Sequence, residues 1–200
     1  MVFPLTYFGP IPYYQLLLKC GDDVEFDTNE RFVKQTWRNR AQILGSNGPL
    51  NLSVPIVKPF GRETKFKDVL ISDVSDWRKD HWKSIESAYA HAPFFFYYGD
   101  QIKELIYIKS EKLMNFNTEI MKQVLEWLDF SDFQPKILDK SPEFNPQDAR
   151  SIFSNKELKY PQKPYIQVFS DKFPFFENLS IIDLLMNEGP LARKYINNSI

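Results

Sequence analysis

Apolar residues along this chain recur with two different periods, and the changes of period divide it into elements. From Trp77 to about Ala90 they fall at helical spacing, giving the stripe Trp77, His81, Ile85, Ala88 and Ala92. A second helical stripe, Phe116, Ile120, Val124, Leu125 and Leu128, predicts a helix over about 113–128. Between 38–44 and 50–57 the chain reads as two strands around Asn47-Gly48, a strong hairpin signal, with Gly45 and Ser46 lengthening the loop beyond two residues. Shorter strands are expected at Val24–Phe26, Val69–Ile71 and Tyr165–Phe169. Pro12 suits the first turn of a helix that Gly21 stops, and Gly99-Asp100 opens another that runs through Ile108. Ser75 and Asp76 are cap residues for the Trp77 helix, and Pro93 ends it. Ser180-Ile181-Ile182-Asp183 resembles a capping box with Asp in place of Glu, opening a last helix to about Met186. Gly189-Pro190 then breaks the chain before a frayed tail.

Residues 131–164 carry Pro135, Pro142, Pro146, Pro161 and Pro164. They read as a long irregular surface segment with one helical turn near 149–153, of the kind that serves as a lid or mobile loop. There is no internal repeat. The order of elements predicts an α/β fold, with α+β as the alternative: one domain over 1–200, a small mixed sheet with an early β-hairpin, and four to five flanking helices.

Composition narrows the class. Hydrophobic residues make up 43% of the 200, enough for a core, so intrinsic disorder is not expected. The net charge of −1 argues against bulk attraction to nucleic acid. No run of about 20 apolar residues exists, so no membrane span is expected. The apolar start lacks a basic region and is broken by Pro4, Pro10 and Pro12, unlike a signal peptide. A single cysteine, Cys20, fits a reducing compartment and, with two histidines, gives little support for a zinc cage. A cytoplasmic protein is expected, with no metal indicated and the cofactor unknown.

Charge is uneven in one place. Residues 31–62 contain Arg31, Lys34, Arg38, Arg40, Lys58 and Arg62 and no acid. Arginine forks grip phosphate or carboxylate in two bonds, and lysine adds a point charge. On an extended strand Arg38 and Arg40 would share a face about 7 Å apart, a spacing that suits a diphosphate. Lys34, Arg38, Asn39 and Arg40 are therefore substrate-binding candidates, against the alternative of a solvated, charge-protected strand edge. His81 is the candidate proton-transfer residue, against the alternative of a satisfied histidine on an apolar helix face. Tyr7 and Tyr13 can wall a pocket or simply pack in the core. Glu86 reads as helix surface, and Cys20 has no evident activating partner beyond Lys19. Phosphate-binding glycine loops, HExxH and GxSxG are all missing.

Several of these stretches, taken in order, resemble the WbqC-like family. They are Tyr7-Phe8-Gly9-Pro10-Ile11-Pro12-Tyr13-Tyr14, Lys34-Gln35-Thr36-Trp37-Arg38-Asn39-Arg40 and Leu52-Ser53-Val54-Pro55-Ile56. The helix from Trp77 to Tyr89, the Ala92-Pro93-Phe94-Phe95 exit and Asn178–Leu185 with Asn187-Glu188-Gly189-Pro190 continue the match. Many members open with a Gln-Pro pair where this chain has Pro4-Leu5-Thr6-Tyr7. The resemblance implies a bacterial cytoplasmic protein associated with surface-polysaccharide or O-antigen synthesis. It also places Arg38, Asn39, Arg40 and His81 inside recurrent motifs. Two functions follow as expectations. One is a transferase that moves an acyl or aminoacyl group onto a nucleotide-activated amino sugar, with an anionic small molecule such as a nucleotide sugar or acyl carrier as ligand. The other is a non-catalytic scaffold that uses the Phe94–Tyr98 aromatics and the 131–164 segment as contact surfaces.

Overall fold

The computed structural model describes residues 1–133, 136–138, 140–143, 145, 148–154, 158 and 160–198. Pro135 and Pro146 lie outside the described residues. The chain forms an α/β fold of mixed parallel and antiparallel sheets with helices packed around them.

The first unit is a βαβ crossover. Strand β1 (Val2–Phe3) leads through helix α1 (Ile11–Cys20) to β2 (Glu25–Asp27), and the two strands pair in parallel, Val2 opposite Glu25. A parallel return needs such a crossover, because a tight turn reverses direction. Gly21, at φ 53°, takes the left-handed conformation that ends α1. A third parallel strand comes from far along the chain: β7 (Lys136–Leu138) adds beside β2, with Phe26 opposite Ile137. The 131–164 segment expected as an irregular surface loop therefore supplies a sheet strand. Lys136 Nζ meets Glu25 Oε1 at 2.7 Å across this pair.

The hairpin is present and tighter than expected. Strands β3 (Arg40–Gly45) and β4 (Gly48–Ser53) are paired up to Gly45 opposite Gly48, leaving Ser46 and Asn47 as the two-residue turn. Gly48 has φ 107°, which a side chain would resist. The second strand ends at Ser53, before Pro55, rather than running to 57. Ile56–Val57 instead form β5, paired antiparallel with β6 (Leu70–Ile71).

Three long helices cover these sheets: α2 (Trp77–Tyr89), α3 (Phe95–Tyr107) and α4 (Leu113–Trp127). Their apolar stripes are buried: Ile85 and Tyr89, Ile102 and Ile106, and Phe116, Ile120 and Val124. Burying one such side chain contributes roughly 2–3 kcal/mol. Helix α3 starts four residues before the expected Gly99. Gly99 lies inside it because the Phe95 ring covers that position, and an added Cβ would sit 3.3 Å from the ring. Phe95 in turn stacks on Trp82, at 6.2 Å between ring centres.

The later elements are α5 (Ala149–Ile152), α6 (Ile181–Glu188) and α7 (Ala192–Asn198). The frayed tail is thus helical, with Ala192 and Ile196 in the core. Among the described residues there are seven α-helices, two more than the upper expectation, the additions being short. No strand forms at Tyr165–Phe169. Gln167 takes the place of a ladder there: its amide donates to Phe176 O at 2.9 Å and accepts from Phe176 N at 2.9 Å. No helix among the described residues is long and apolar enough to cross a membrane.

Candidate functional site

Ligands of parallel sheets bind beyond the carboxyl ends of the strands, and the polar side chains of this protein gather at that edge. Asp27 ends β2 and is fully buried in its side chain. Its Oδ1 accepts from Asn29 N at 2.9 Å, Glu30 N at 3.1 Å and Ser141 Oγ at 2.9 Å, and Oδ2 accepts from Arg150. Arg150 also donates to Asp148, its Nε at 3.0 Å and a terminal nitrogen at 2.6 Å from Oδ2. Asp148 caps α5 as well, taking Arg150 N at 2.8 Å. Burial opposes the charge on Arg150, but the carboxylates of Asp148, Asp27 and Glu30 outweigh it and raise the pKa.

Glu30 continues the network. It receives both Nε (2.6 Å) and a terminal nitrogen (2.7 Å) of Arg38, a two-bond fork. Arg38 lies close enough to Tyr13 to favour the phenolate form, while burial and Tyr14 push that hydroxyl well above its usual range. The Tyr13 hydroxyl donates to Pro4 O at 2.8 Å, just past β1, and its ring meets Phe153 edge-on at 5.3 Å. Phe153 directly follows α5, which carries Arg150. Hydrogen bonds thus run from Arg38 through Glu30 to Asp27, Arg150 and Asp148, with the Tyr13 ring packed on Phe153 next to α5. Thr6 lies near the Tyr13 hydroxyl from the first turn. Gly9 makes that turn possible, since a Cβ there would lie 2.4 Å from Thr6 Oγ1. The Tyr14 hydroxyl lies near Thr6 and the Gly9 backbone, though neither closes a full hydrogen bond. On the same helix Gln15 is buried with neither amide atom partnered. A buried primary amide without protein partners is costly.

The expected site residues divide into three sets. Arg38 precedes β3 and sits in a turn, Asn39 N bonding Thr36 O at 3.1 Å, so Arg38 and Arg40 do not share a strand face. Arg38 is buried and neutralised by Glu30. Asn39 is also internal, its side chain donating to Val54 O at 3.1 Å and accepting from Gln35 N at 3.2 Å. Arg40 opens β3 half-buried, with its Nε buried and unpartnered and no acid paired with it among the described residues. Lys34 is exposed.

His81 and Tyr7 form a second, deeper pair. Tyr7 is buried, and its hydroxyl lies 2.8 Å from His81 Nδ1. His81 is 5% exposed, flanked by Trp77 at 5.0 Å and Tyr7 at 5.6 Å between ring centres. Burial lowers the His81 pKa to about 4, keeping the ring neutral, and outweighs the Ser53 backbone and Asp80, which favour the charged ring. His81 is therefore a buried neutral ring whose Nδ1 is engaged with Tyr7. Tyr7 N bonds Trp37 O at 2.9 Å, and Asn117 donates to Leu5 O at 3.3 Å and Arg38 O at 2.7 Å. These bonds tie the Tyr7 turn to the Arg38 turn through the middle of the protein.

Sequence reasoning missed Asp27, Glu30, Asp148 and Arg150, and also Asp183. The Asp183 carboxylate is buried and accepts from the Tyr89 hydroxyl at 2.8 Å, Tyr165 at 2.5 Å and Gln167 at 3.3 Å. Burial raises its pKa. Asp27-Thr28-Asn29 and Asp148-Ala149-Arg150 carried a signal, a carboxylate two residues before an amide it can accept from. A separate open cleft of about 360 Å³ lies between the hairpin turn and α2, with Lys83, Ser84 and Ser87 on its wall, away from this network. Among the described residues no group of three or more His, Cys, Asp or Glu is placed to hold a metal ion.

A family model described as the WbqC-like protein family matches residues 6–150, which include Tyr7, Tyr13, Asp27, Glu30, Arg38, Arg40, His81, Asp148 and Arg150. An uncharacterized protein of Mycobacterium tuberculosis is similar, at 27% identity over 121 residues, covering 60% of this chain and 51% of the relative. The chain thus spans about half the length of the curated relative it matches. No solved structure matches it.

Proposed function

The chain belongs to the WbqC-like protein family, and from that premise we propose that it is a transferase of surface-polysaccharide synthesis, passing an acyl or aminoacyl group to a nucleotide-activated amino sugar. One observation carries the reading: a buried polar network of Arg38, Glu30, Asp27, Arg150 and Asp148 at the carboxyl edge of three parallel strands. Its interlocking bonds between three carboxylates and two guanidinium groups make it a rigid floor. Its spare N–H groups on Arg150 and Arg38 and the Thr6 hydroxyl suit sugar hydroxyls. Arg40, half-buried and unpaired by any described acid, is the cation that suits a ligand phosphate, with Lys34 outside it. Tyr13 and the Tyr7 turn wall the site, and Asn39 holds the Arg38–Arg40 turn in shape.

In the reaction the sugar amine attacks the donor carbonyl. A nitrogen–carbon bond forms, the bond to the carrier breaks, and the amine proton passes to the departing carrier group. His81 keeps an acceptor lone pair at neutral pH because burial holds it uncharged, and in the resting structure its Nδ1 is engaged with the Tyr7 hydroxyl. His81 then acts through the Tyr7 hydroxyl, as the group that orients it.

The test is a thermal-shift screen against nucleotide sugars, coenzyme A thioesters and inorganic pyrophosphate, with Arg40→Ala alongside. Arg40 has no described acid partner, so its removal breaks no ion pair. A ligand at 100 times its dissociation constant adds about 2.7 kcal/mol of stability. A shift in the wild type that Arg40→Ala loses, together with an acylated sugar in the product mass spectrum, supports the proposal. A folded protein silent across the panel sinks it and favours a scaffold. That second reading has its own support: Phe96 and Tyr97 project from α3, 94% and 63% exposed, as a partner surface would. It expects a copurifying protein lost in Phe96→Ser.

A further inference from the structure

The loop after β5 shows an arrangement that neither the core nor the polar network uses. Two short strands of chain lie side by side, Arg31 paired with Lys65, with Phe32 N bonded to Thr64 O at 3.0 Å. Beyond them the chain from Lys58 to Glu63 folds as two consecutive turns, Gly61 N to Lys58 O and Glu63 N to Phe60 O, both 3.1 Å. Phe60 N is pinned to Thr64 Oγ1 at 3.0 Å. The result is an ordered loop that holds the Phe60 ring 65% exposed. Val57, just before this loop, and Val33, next to Phe32 on the segment bonded to Thr64, are 47% and 53% exposed. Ordering a loop to keep an aromatic ring in water does not stabilise the fold, since the hydrophobic term opposes it.

The charge around the ring is predominantly positive. Lys58 and Arg62 flank Phe60, and Arg31, Lys34 and Lys65 stand on the adjoining segments. Against these five cations the loop carries Glu63, which is taken by Arg31 at 2.6 Å. The whole chain has a net charge of −1, so this is a local concentration of positive charge.

We propose that this face is a membrane-docking surface, with Phe60, Val57 and Val33 entering the interface of an anionic bilayer while Lys58, Arg62, Lys34 and Lys65 meet lipid phosphates. Apolar tips amid cations match both layers of such a surface, the acyl boundary and the charged headgroups. A duplex nucleic acid would satisfy the cations and leave the valines and the phenylalanine in water. The inference is independent of the transferase reading. It requires no membrane-crossing helix.

The test is sedimentation of the full chain with vesicles of equimolar phosphatidylcholine and phosphatidylserine, against phosphatidylcholine alone, at low salt. Binding is expected to the anionic vesicles, to weaken steeply at 0.5 M salt, and to be negligible on the neutral ones. Each of Lys58→Glu and Arg62→Glu should reduce partitioning about fivefold or more, and Phe60→Ser about tenfold. These side chains are exposed, and circular dichroism confirms that each variant folds. Phe60→Trp supplies a direct readout, an emission blue shift quenched by brominated lipid. Absence of binding to anionic vesicles overturns the proposal. So does binding that Phe60→Ser leaves intact with the tryptophan unquenched, or tighter binding to duplex DNA or polyglutamate than to vesicles, since each marks a general polyanion site.

Discussion

At neutral pH the His81 ring is uncharged inside the folded protein, and its pKa of about 4 lies below the ordinary 6.5. The unfolded chain therefore binds a proton that the folded chain refuses between those two values. Stability should rise with pH across pH 4 to 6.5, by about 3 kcal/mol from this group. The buried Asp183 works the other way: its pKa is raised on folding, so the strain of its charge is relieved as pH falls. The two are separated by comparing variants. His81→Gln should flatten the urea-measured stability profile between pH 4 and 6.5 relative to wild type; an unchanged slope would show that the ring is already solvated. Asp183→Asn places an amide N–H2 against the Tyr89, Tyr165 and Gln167 donors, and should cost about 2–4 kcal/mol. Tyr165→Phe, which removes one donor of several, should cost about 1 kcal/mol in the same titration.

Helix α6 ends at Gly189, which sits at φ 53° and donates its N–H to Leu185 O. An added methyl there would also meet the Phe94 ring at 2.4 Å. Gly189→Ala combines an unfavourable dihedral with overpacking and should lower stability by about 2–4 kcal/mol in urea titration. A similar Cβ at Gly21 meets nothing within 4 Å, so Gly21→Ala should cost only the dihedral, about 1 kcal/mol. Elements announced by local signals were legible in the sequence: the 77–89 helix, the hairpin, and the Ser180 cap whose hydroxyl accepts from Ile182 N. Elements decided by distant partners were not. Lys136–Leu138 has no strand pattern of its own and becomes β7 because β2 offers a free edge. Asp183 looked like a helix-cap acid, and its real partners are tyrosines 94 and 18 residues away. Arg38 looked like a ligand-binding cation because Glu30, eight residues earlier, could not be seen to reach it.

The apolar core is continuous from Phe3 and Phe26 of the parallel sheet through Tyr7 and Phe116 to Leu184 and Ile196. We propose on that basis that residues 1–200 form one cooperative unit. Calorimetric and van't Hoff enthalpies should agree, with far- and near-ultraviolet dichroism lost together. Two separated transitions would divide the chain instead. The polar network belongs to the same scale, since it draws on residues from 27 to 150 and no single segment contains it. The opening turn is also locked from the far side of the chain: Ile11 N bonds Leu179 O, Ser180 Oγ bonds Phe8 O, and Ile181 N bonds Gly9 O. In a cell the chain is made from one end. Residues 8 to 11 are synthesised more than 160 residues before their partners Leu179 to Ile181. The Thr6–Tyr14 turn can therefore close only after Ile181 has been made, and until then its aromatics lack their native cover.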